Sequence, residues 1–253
     1  MTALFESIIF GPIRSRRLGL SLGVNLLPQH AKICSFDCIY CECGSNSERR
    51  GREGFANFDE VVEALEQTLT TTTEPLDVIT FAGNGEPTLH PQFEQIIERT
   101  IDLRDRLMPT AKISVLSNAT NLGRESVVRG LRGVDNNILK LDSAIETTAK
   151  LIDRPGGEYN TERVIEQMRA FEGECIVQTM FLQGEVNGVK IDNTSEEEVT
   201  AWLAAICRIS PRQVMIYSID RETPVKSLKK VDRDQLELIA ERVRRAGFEC
   251  SVA

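Results

Sequence analysis

The sequence predicts an α/β fold, an open, partial TIM-like barrel of about six βα units. Short apolar segments, each suited to one buried strand, alternate along the chain with amphipathic stretches of helical period. Polar and glycine residues follow directly after most of the apolar segments, where parallel α/β proteins place their ligand-binding loops. The units are too few for a closed barrel, so we expect an open one. A doubly wound sheet is the alternative.

The strands are predicted from apolar runs rich in Val, Ile and Leu. They cover residues 22–27, 78–82, Lys112–Ser117, 137–141, 176–181 and 214–218, with a further short strand at 248–252. Between them, apolar residues recur at helical spacing, and Asn57 is suited to cap the first helix. The predicted helices cover residues 58–69, Phe93–Leu107, 124–132, 161–171, 195–207 and 232–246. Such alternation forms parallel sheets with right-handed crossovers.

Length and composition bound the class of protein. With 253 residues, 41% of them hydrophobic, the chain can bury a full core, and we expect 1–253 to form a single domain. Within this domain we expect an N-terminal extension and the first strand in residues 1–30. A cysteine loop follows in 31–45, and the remaining βα units in 46–253. No apolar run could span a bilayer and no signal peptide is evident, so we expect a cytoplasmic protein without a membrane partner. The net charge of −8 argues against a broad basic surface for nucleic acid.

Three cysteines, Cys34, Cys38 and Cys41, form a C-x3-C-x2-C run after the first predicted strand. Three thiolates on one loop can bind three irons of a cubane cluster and leave the fourth iron open to a small molecule, whereas electron-transfer clusters normally use four thiolates. A zinc loop, or buried cysteines without a ligand, are the alternatives. Zinc sites usually add a second cysteine pair or histidines, and this chain has no second pair and only His30 and His90. Soft thiolates favour iron–sulfur.

The remaining cysteines have less informative spacing. Cys43 adds a fourth thiol to the loop, which either competes for the open iron or points away as a bystander. A ligand only two residues beyond Cys41 would have to double back, so the spacing favours the bystander. The scattered Cys175, Cys207 and Cys250 are expected to be small buried hydrophobic residues.

Polar residues also gather at the predicted carboxyl ends of the strands. The turn Gly-Asn-Gly-Glu-Pro at 83–87 follows the second strand, and its glycines allow positive φ and close approach of a ligand. Glu86 places a carboxylate beside that backbone, which suits a ligand ammonium group. Further polar residues end later strands: Ser117, Asn118, Asp142, Ser143 and 217–220. Singly these residues are often turn formers, but together with a cysteine loop they predict a cofactor site.

Lys140 is the candidate catalytic residue. Lys140 and Asp142 lie two residues apart on one predicted strand, so their side chains share a face. The Lys140 amine can pair with Asp142 and only neutralise charge, bind a carboxylate, or form a Schiff base with a carbonyl substrate.

Arginines flank the cysteine loop on both sides in sequence. They are suited to bind phosphate or carboxylate beside the mouth of the barrel, or they are solvated charges. The six residues are Arg14, Arg16, Arg17, Arg49, Arg50 and Arg52.

The cysteine loop, with Tyr40 just before its third cysteine, together with the turn at 83–87, resembles the radical S-adenosylmethionine (SAM) enzymes and their "GGE" motif. The resemblance covers about 10–243. It implies a [4Fe–4S] cluster on Cys34, Cys38 and Cys41, with the SAM amino and carboxylate groups on the remaining iron. It further implies reductive cleavage of SAM to a 5′-deoxyadenosyl radical that abstracts a substrate hydrogen. A reductase or a flavodoxin- or ferredoxin-type electron donor is the implied partner.

The same resemblance implies roles for the strand-end residues. Tyr40 contacts the adenine through its backbone or ring. The methionine ammonium is received by Gly83, Asn84, Gly85 and Glu86. The methionine carboxylate and the ribose lie by Ser117, Asn118 and Asp142. Candidates for the ribose and adenine sides are Gln178 and Tyr217.

A narrower resemblance is to the wyosine-synthase-like radical SAM proteins, carried by 10–25 (FGPIRSRRLGLSLGVN), 83–89 (GNGEPTL), 140–142 and 179–181. Characterised members modify a transfer RNA guanine with pyruvate and carry extra cysteines upstream, whereas this chain has none before Cys34. Three hypotheses follow: a radical SAM enzyme acting on tRNA, one acting on a protein or peptide, such as a glycyl-radical-enzyme activase, and a non-catalytic iron–sulfur carrier or sensor. The turn at 83–87 argues against the last, since a carrier needs no ammonium-binding pocket.

Overall fold

The computed structural model describes residues 4–15, 17–46 and 54–253. The described chain opens with an antiparallel hairpin formed by β1 (Ile9–Ser15) and β2 (Gly19–Val24). A register shift between Phe10 and Ile13 bends β1 against its partner.

Strands and helices alternate after β2. The elements are, in order, α1 (Phe58–Thr71), β3 (Val78–Phe81), a short 3₁₀ helix (Pro87–Leu89), α2 (Phe93–Leu107), β4 (Lys112–Ser117), α3 (Glu125–Arg132), β5 (Asn136–Lys140), α4 (Glu146–Asp153), α5 (Thr161–Arg169), β6 (Ile176–Val186), β7 (Val189–Asp192), α6 (Glu196–Ile209), β8 (Gln213–Ser218), β9 (Lys229–Lys230), α7 (Arg233–Arg245) and β10 (Glu249–Val252). As predicted, Asn57 caps α1, in a capping box with Glu60.

The main sheet has the strand order β1-β2-β3-β4-β5-β6-β8-β10. All neighbouring pairs after β1–β2 are parallel. Six of the parallel strands (β2, β3, β4, β5, β6 and β8) precede a helix, and β1 and β10 stay unpaired with each other in the described chain. This confirms the predicted open, partial barrel.

The two faces of the sheet have different contents. Leu139, Val177 and Ile216 face the helices and join one large core with residues such as Trp202 of α6. Because side chains alternate along a strand, the residues directly before these three in β5, β6 and β8 face the other side. That inner face holds a small apolar cluster of Ile138, Ile176 and Met215, packed with Leu18 and Leu116.

The structure corrects the predicted first strand. It covers Gly19–Val24 and not 22–27. The apolar run 24–27 is interrupted by Asn25, whose side chain donates to Leu27 O (3.0 Å) and accepts from Leu27 N–H (3.2 Å), so the chain turns out of the sheet. Leu26 and Leu27 are buried in the core although they lie outside the strand.

The sequence patterns did not predict the strands β1, β7 and β9 or the helix α4. β1 contains Gly11-Pro12, a poor strand signal, and α4 is short. β6 continues five residues beyond the predicted end and turns back into β7 through Asn187 and Gly188, both with positive φ. An Asn-Gly pair is a strong hairpin signal that was available in the sequence. β9 has only two residues.

Among the residues that the structure describes, no helix combines the length and the apolar character needed to cross a membrane.

Candidate active site

The cysteine loop leaves β2 and is held from two sides. On one side, Ile33 forms a bridge with Gly85 of the glycine-rich turn. On the other side, Asp37 N–H donates to Asp153 O (3.0 Å) and Ile39 N–H to Ile152 O (2.9 Å), both at the end of α4. The loop that carries the three cysteines is therefore fixed by backbone contacts to the ends of β3 and α4.

The three sulfurs lie among hydrogen-bond donors and cations. Phe36 N–H donates to Cys34 Sγ (3.4 Å), and Lys140 Nζ donates to Cys38 Sγ (3.0 Å). Lys32 is buried behind the loop and donates to Gly44 O (2.7 Å). Apart from its nearness to Cys34 along the chain, nothing in the sequence pointed to this residue. Donors and cations of this kind stabilise thiolates and tune a cluster bound to them.

The pKa values of the thiols differ with their surroundings. Burial, with Glu86 adding to it, raises the pKa of Cys34 to about 12. Burial also raises the pKa of Cys38, against the Lys140 ammonium. A hydrogen bond from Cys43, supported by Lys32, lowers the pKa of Cys41 to about 6 against the effect of burial.

The donor set fits a three-thiolate cubane cluster better than a zinc ion. In the described part of the chain, no three His, Cys, Asp or Glu side chains are arranged to hold one metal ion. A cubane does not require that arrangement, because each thiolate binds a different iron. His90 is excluded as a zinc ligand, since its Nε2 lies 2.8 Å from Ala56 O and its Nδ1 accepts from Gln92 N–H.

The glycine-rich turn fits the loop only because Gly85 lacks a side chain. Ile33 N–H donates to Asn84 O and Glu86 N–H to Ile33 O, each at 3.0 Å. A Cβ on Gly85 would lie 2.5 Å from the carbonyl carbon of Ile33 and closer still to its oxygen. Gly83 and Gly85 both have positive φ, near 149° and 142°. The close approach of loop and turn therefore requires glycine.

The polar side chains of the turn are engaged within the protein. Asn84 is fully buried, and its amide donates to Phe5 O and Pro28 O, both at 2.8 Å. Glu86 Oε1 accepts from Thr88 N–H (3.1 Å) and Ser117 Oγ (2.9 Å). Its Oε2 accepts from Asn118 N–H (2.7 Å), the one donor to that oxygen among the described residues. Only Oε2 of Glu86 thus retains capacity for a ligand.

Asn118 connects the end of β4 to the cysteine loop. Its amide donates to Ser35 Oγ (2.9 Å) and lies 3.6 Å from Cys34 Sγ. Its Oδ1 accepts from Thr120 N–H (3.1 Å). The structure therefore brings Ser117 and Asn118 to Glu86 and the loop, as expected of strand-end site residues.

Lys140 lies in a buried cluster of charges. Its Nζ is 2.6 Å from Asp153 Oδ1 and 3.1 Å from Asp142 Oδ2, and Tyr40 donates its hydroxyl to the same Asp142 oxygen. Burial alone would lower the pKa of Lys140, but Asp142 and Asp153 hold it well above its usual value. Such an ammonium is not a nucleophile, so the contacts favour charge pairing over a Schiff base. Asp153 was missed because α4 was missed.

Cys43 does not point away. It is buried, and its thiol donates to Gly83 O (3.4 Å) as well as to Cys41. The bystander interpretation is therefore wrong for the direction of this side chain. Cys175 and Cys250 are buried as predicted, but Cys207 is exposed. Its neighbour Ile206 takes the inner side of α6, which turns Cys207 outward.

Of the predicted arginine patch, the structure describes two members, Arg14 and Arg17, and these point in different directions. Arg14 is exposed on β1, whereas Arg17 turns inward with its Cζ 4.5 Å from the centre of the Tyr217 ring. The other predicted members of the patch, Arg16 and the arginines at 49, 50 and 52, lie outside the described residues.

Gln178, another predicted site residue, lies on β6 and pairs in register with Lys140 of the neighbouring strand β5.

Comparison with sequences of known proteins gives related chains of greater length. A protein of Brachyspira hyodysenteriae named GTPase Obg is 31% identical over 236 residues, which cover 90% of this chain and 32% of that protein. A UPF0026 protein of Methanocaldococcus jannaschii is 34% identical over 182 residues, 70% of this chain and 54% of that protein. The chain thus spans about a third and about half of the length of these relatives.

Comparison with solved structures and family models agrees with the geometry. The fold is similar to that of Streptococcus suis SuiB, solved bound to S-adenosylmethionine, with a TM-score of 0.62 and 14% identity over 91% of this chain and 46% of that chain. A family model described as the Radical SAM superfamily matches residues 29–196, which include the cysteine loop and the glycine-rich turn. The chain therefore belongs to the Radical SAM superfamily.

Proposed function

We propose that this radical SAM enzyme binds a [4Fe–4S] cluster through Cys34, Cys38 and Cys41 and cleaves SAM there. When bound, the cluster and SAM supply a 5′-deoxyadenosyl radical for hydrogen abstraction from a substrate. The observation that carries the proposal is the backbone contact of Ile33 with the 83–87 turn, which we call the joint between the cysteine loop and the turn. It sets three thiols beside a turn whose glycines let the loop approach closely.

The chain's own residues have distinct roles in this proposal. The Gly83 carbonyl and Glu86 Oε2 accept from the SAM ammonium, while Ser117 and Asn118 position that turn against the loop. Tyr40 and Asp142, joined by a hydrogen bond, line the adenine and ribose side. The Gln178 and Tyr217 side chains are further candidates there.

Lys140 acts on the sulfur of Cys38. Its ammonium donates to that thiolate and, with Lys32, offsets negative charge around the loop. Hydrogen bonds to the sulfurs and nearby positive charge make a reduced cluster easier to form. An external reductase or a flavodoxin- or ferredoxin-type protein supplies the electron in this proposal.

For the substrate we propose tRNA, on the resemblance to wyosine-synthase-like proteins. A protein or peptide is the second candidate, favoured by the net charge of −8 and by the separation of Arg14 from Arg17. A cytoplasmic location is proposed with either, because all seven cysteines are free thiols.

The test is formation of 5′-deoxyadenosine. The cluster is reconstituted anaerobically, and SAM and dithionite are added to the wild type, Cys38→Ala and, as a control, Cys207→Ala, which changes an exposed thiol. We expect 5′-deoxyadenosine from the wild type and the control and none from Cys38→Ala. A wild-type protein that carries the cluster and forms no 5′-deoxyadenosine would refute the proposed activity.

A further inference from the structure

The hairpin turn between β1 and β2 places two side chains on the inner face of the sheet. Ser15 Oγ accepts from the backbone N–H groups of Arg17 (3.3 Å) and Leu18 (3.2 Å) and so shapes the turn. Leu18 packs against the inner apolar cluster, which includes Ile138 and Met215. Arg17 is thereby carried to the inner face as well, over the ring of Tyr217.

Arg17 has a buried donor that the protein leaves unsatisfied. Its NH1 atom is buried and has no hydrogen-bond partner among the residues that the structure describes. Guanidinium N–H groups are obligatory donors, and a buried one without an acceptor costs free energy. The π face of Tyr217 accepts part of the charge but does not replace an oxygen acceptor for NH1.

The nearby carboxylate does not accept from NH1 in this structure. Tyr217 lies beside Asp142 and Lys140, and its hydroxyl also accepts a side-chain hydrogen bond from Arg17. Both oxygens of Asp142 are already engaged, Oδ1 by Met180 N–H (2.9 Å) and Oδ2 by Tyr40 and Lys140. The NH1 group of Arg17 thus remains without an acceptor among the described residues of the site.

We propose that Arg17 binds an oxyanion of the substrate, a carboxylate or a phosphate group, through NH1. This inference rests on the proposed function for the presence of a substrate at this site. Arginine suits the role because its planar donors match both groups and it stays charged. Arg14, three residues earlier in the same hairpin, is exposed and serves as the matched control.

The experiment measures anion binding without turnover. Cluster-loaded protein, with and without saturating SAM, is titrated with sodium phosphate or sodium acetate against sodium chloride of equal ionic strength. The thermal unfolding midpoint reports binding, because a ligand of the folded state raises it. We expect phosphate or acetate to raise the midpoint more than chloride does, and the more effective anion identifies the substrate group.

The variants assign that binding to Arg17. We expect Arg17→Met to bind the anion about tenfold or more weakly, since a charge-assisted hydrogen bond is lost, and Arg14→Met to bind it as the wild type does. Arg17→Lys keeps the charge without the planar fork, so it should bind with reduced affinity. Should Arg17→Met fail to fold, Arg17→Lys decides.

Several results would overturn the inference. They are a wild type that responds to phosphate and acetate no more than to chloride, unweakened binding in Arg17→Met or Arg17→Lys, or equal weakening in Arg14→Met. Loss of the anion response on addition of SAM would also overturn it, because Arg17 would then belong to the SAM subsite. None of these readings uses 5′-deoxyadenosine, so failure here is distinguishable from failure of the proposed function.

Discussion

Lys140 shows how one buried residue connects the fold to the site. Its ammonium touches Cys38, Asp142 and Asp153, with a side chain only 13% exposed. The first two contacts come from different segments of the chain, and the third comes from α4. The residue therefore joins the cysteine loop, β5 and α4 at one point, whatever its part in the chemistry.

Replacing Lys140 with methionine should be strongly destabilising. The change leaves two buried carboxyl groups beside a thiol without a counter-charge, which typically costs about 3–5 kcal/mol. Urea denaturation of anaerobically purified protein measures the free energy of unfolding. Lys150→Met is the control, since Lys150 pairs with Glu146 on an exposed helix surface and such a pair contributes at most about 1 kcal/mol. Equal losses in the two variants would show that the buried cluster is not held by charge.

The Lys140–Asp142 pair was predictable from sequence, because residues two apart on a strand share a face. Asp153 was not, since it follows Lys140 by a turn and a short helix whose pattern gives no such rule. Lys32 was equally hidden: its side chain reaches back under the loop to Gly44.

At the scale of elements, the decisive contact joins the cysteine loop to the turn after β3. Two backbone hydrogen bonds connect Ile33 with Asn84 and Glu86. No side chain fits between them at Gly85. The loop therefore takes its position from the sheet, through the turn, and does not need to be rigid by itself.

A Gly85→Ala substitution should separate these elements. The added Cβ meets the Ile33 carbonyl group, and the positive φ near 142° is unfavourable for alanine, so a loss of at least about 1–3 kcal/mol is expected. Denaturant unfolding and the iron content after reconstitution check it, and both should fall. Gly157→Ala is the control, because a Cβ there meets nothing within 4 Å. A Gly85→Ala protein with wild-type stability and iron content would contradict the assigned role of the joint.

Sequence patterns predicted the parallel βα units well, because each strand is a continuous apolar run and each helix has a clear stripe. The hairpin that carries Arg17 was missed, since β1 is mostly exposed and its middle holds Gly11-Pro12. Without β1, the sequence grouped Arg17 with Arg14 and Arg16 in one anion-binding cluster and did not separate the inward Arg17 from the exposed Arg14. Its inward position depends on how the hairpin folds over the sheet, and local pattern does not encode that.

For the whole molecule, the open parallel sheet gathers distant segments at one edge. Cysteines of the loop after β2, the turn after β3, Asn118 after β4 and Asp142 after β5 contact one another through the hydrogen bonds described above. The carboxyl ends of parallel strands meet at the same edge, which is why the sequence predicted that these residues lie near one another. Which groups remain available to a ligand depended on tertiary contacts, such as those that occupy Glu86 and Asn84. The single-domain organisation stays a prediction.

The electron paramagnetic resonance spectrum of the reduced, reconstituted protein, recorded with and without SAM, tests the central claim most directly. That claim is a cluster on Cys34, Cys38 and Cys41 with one iron left open to SAM. Binding of SAM to that iron should change the spectrum of the cluster at saturating SAM. A [4Fe–4S] spectrum that is identical in the presence and absence of SAM would contradict the account.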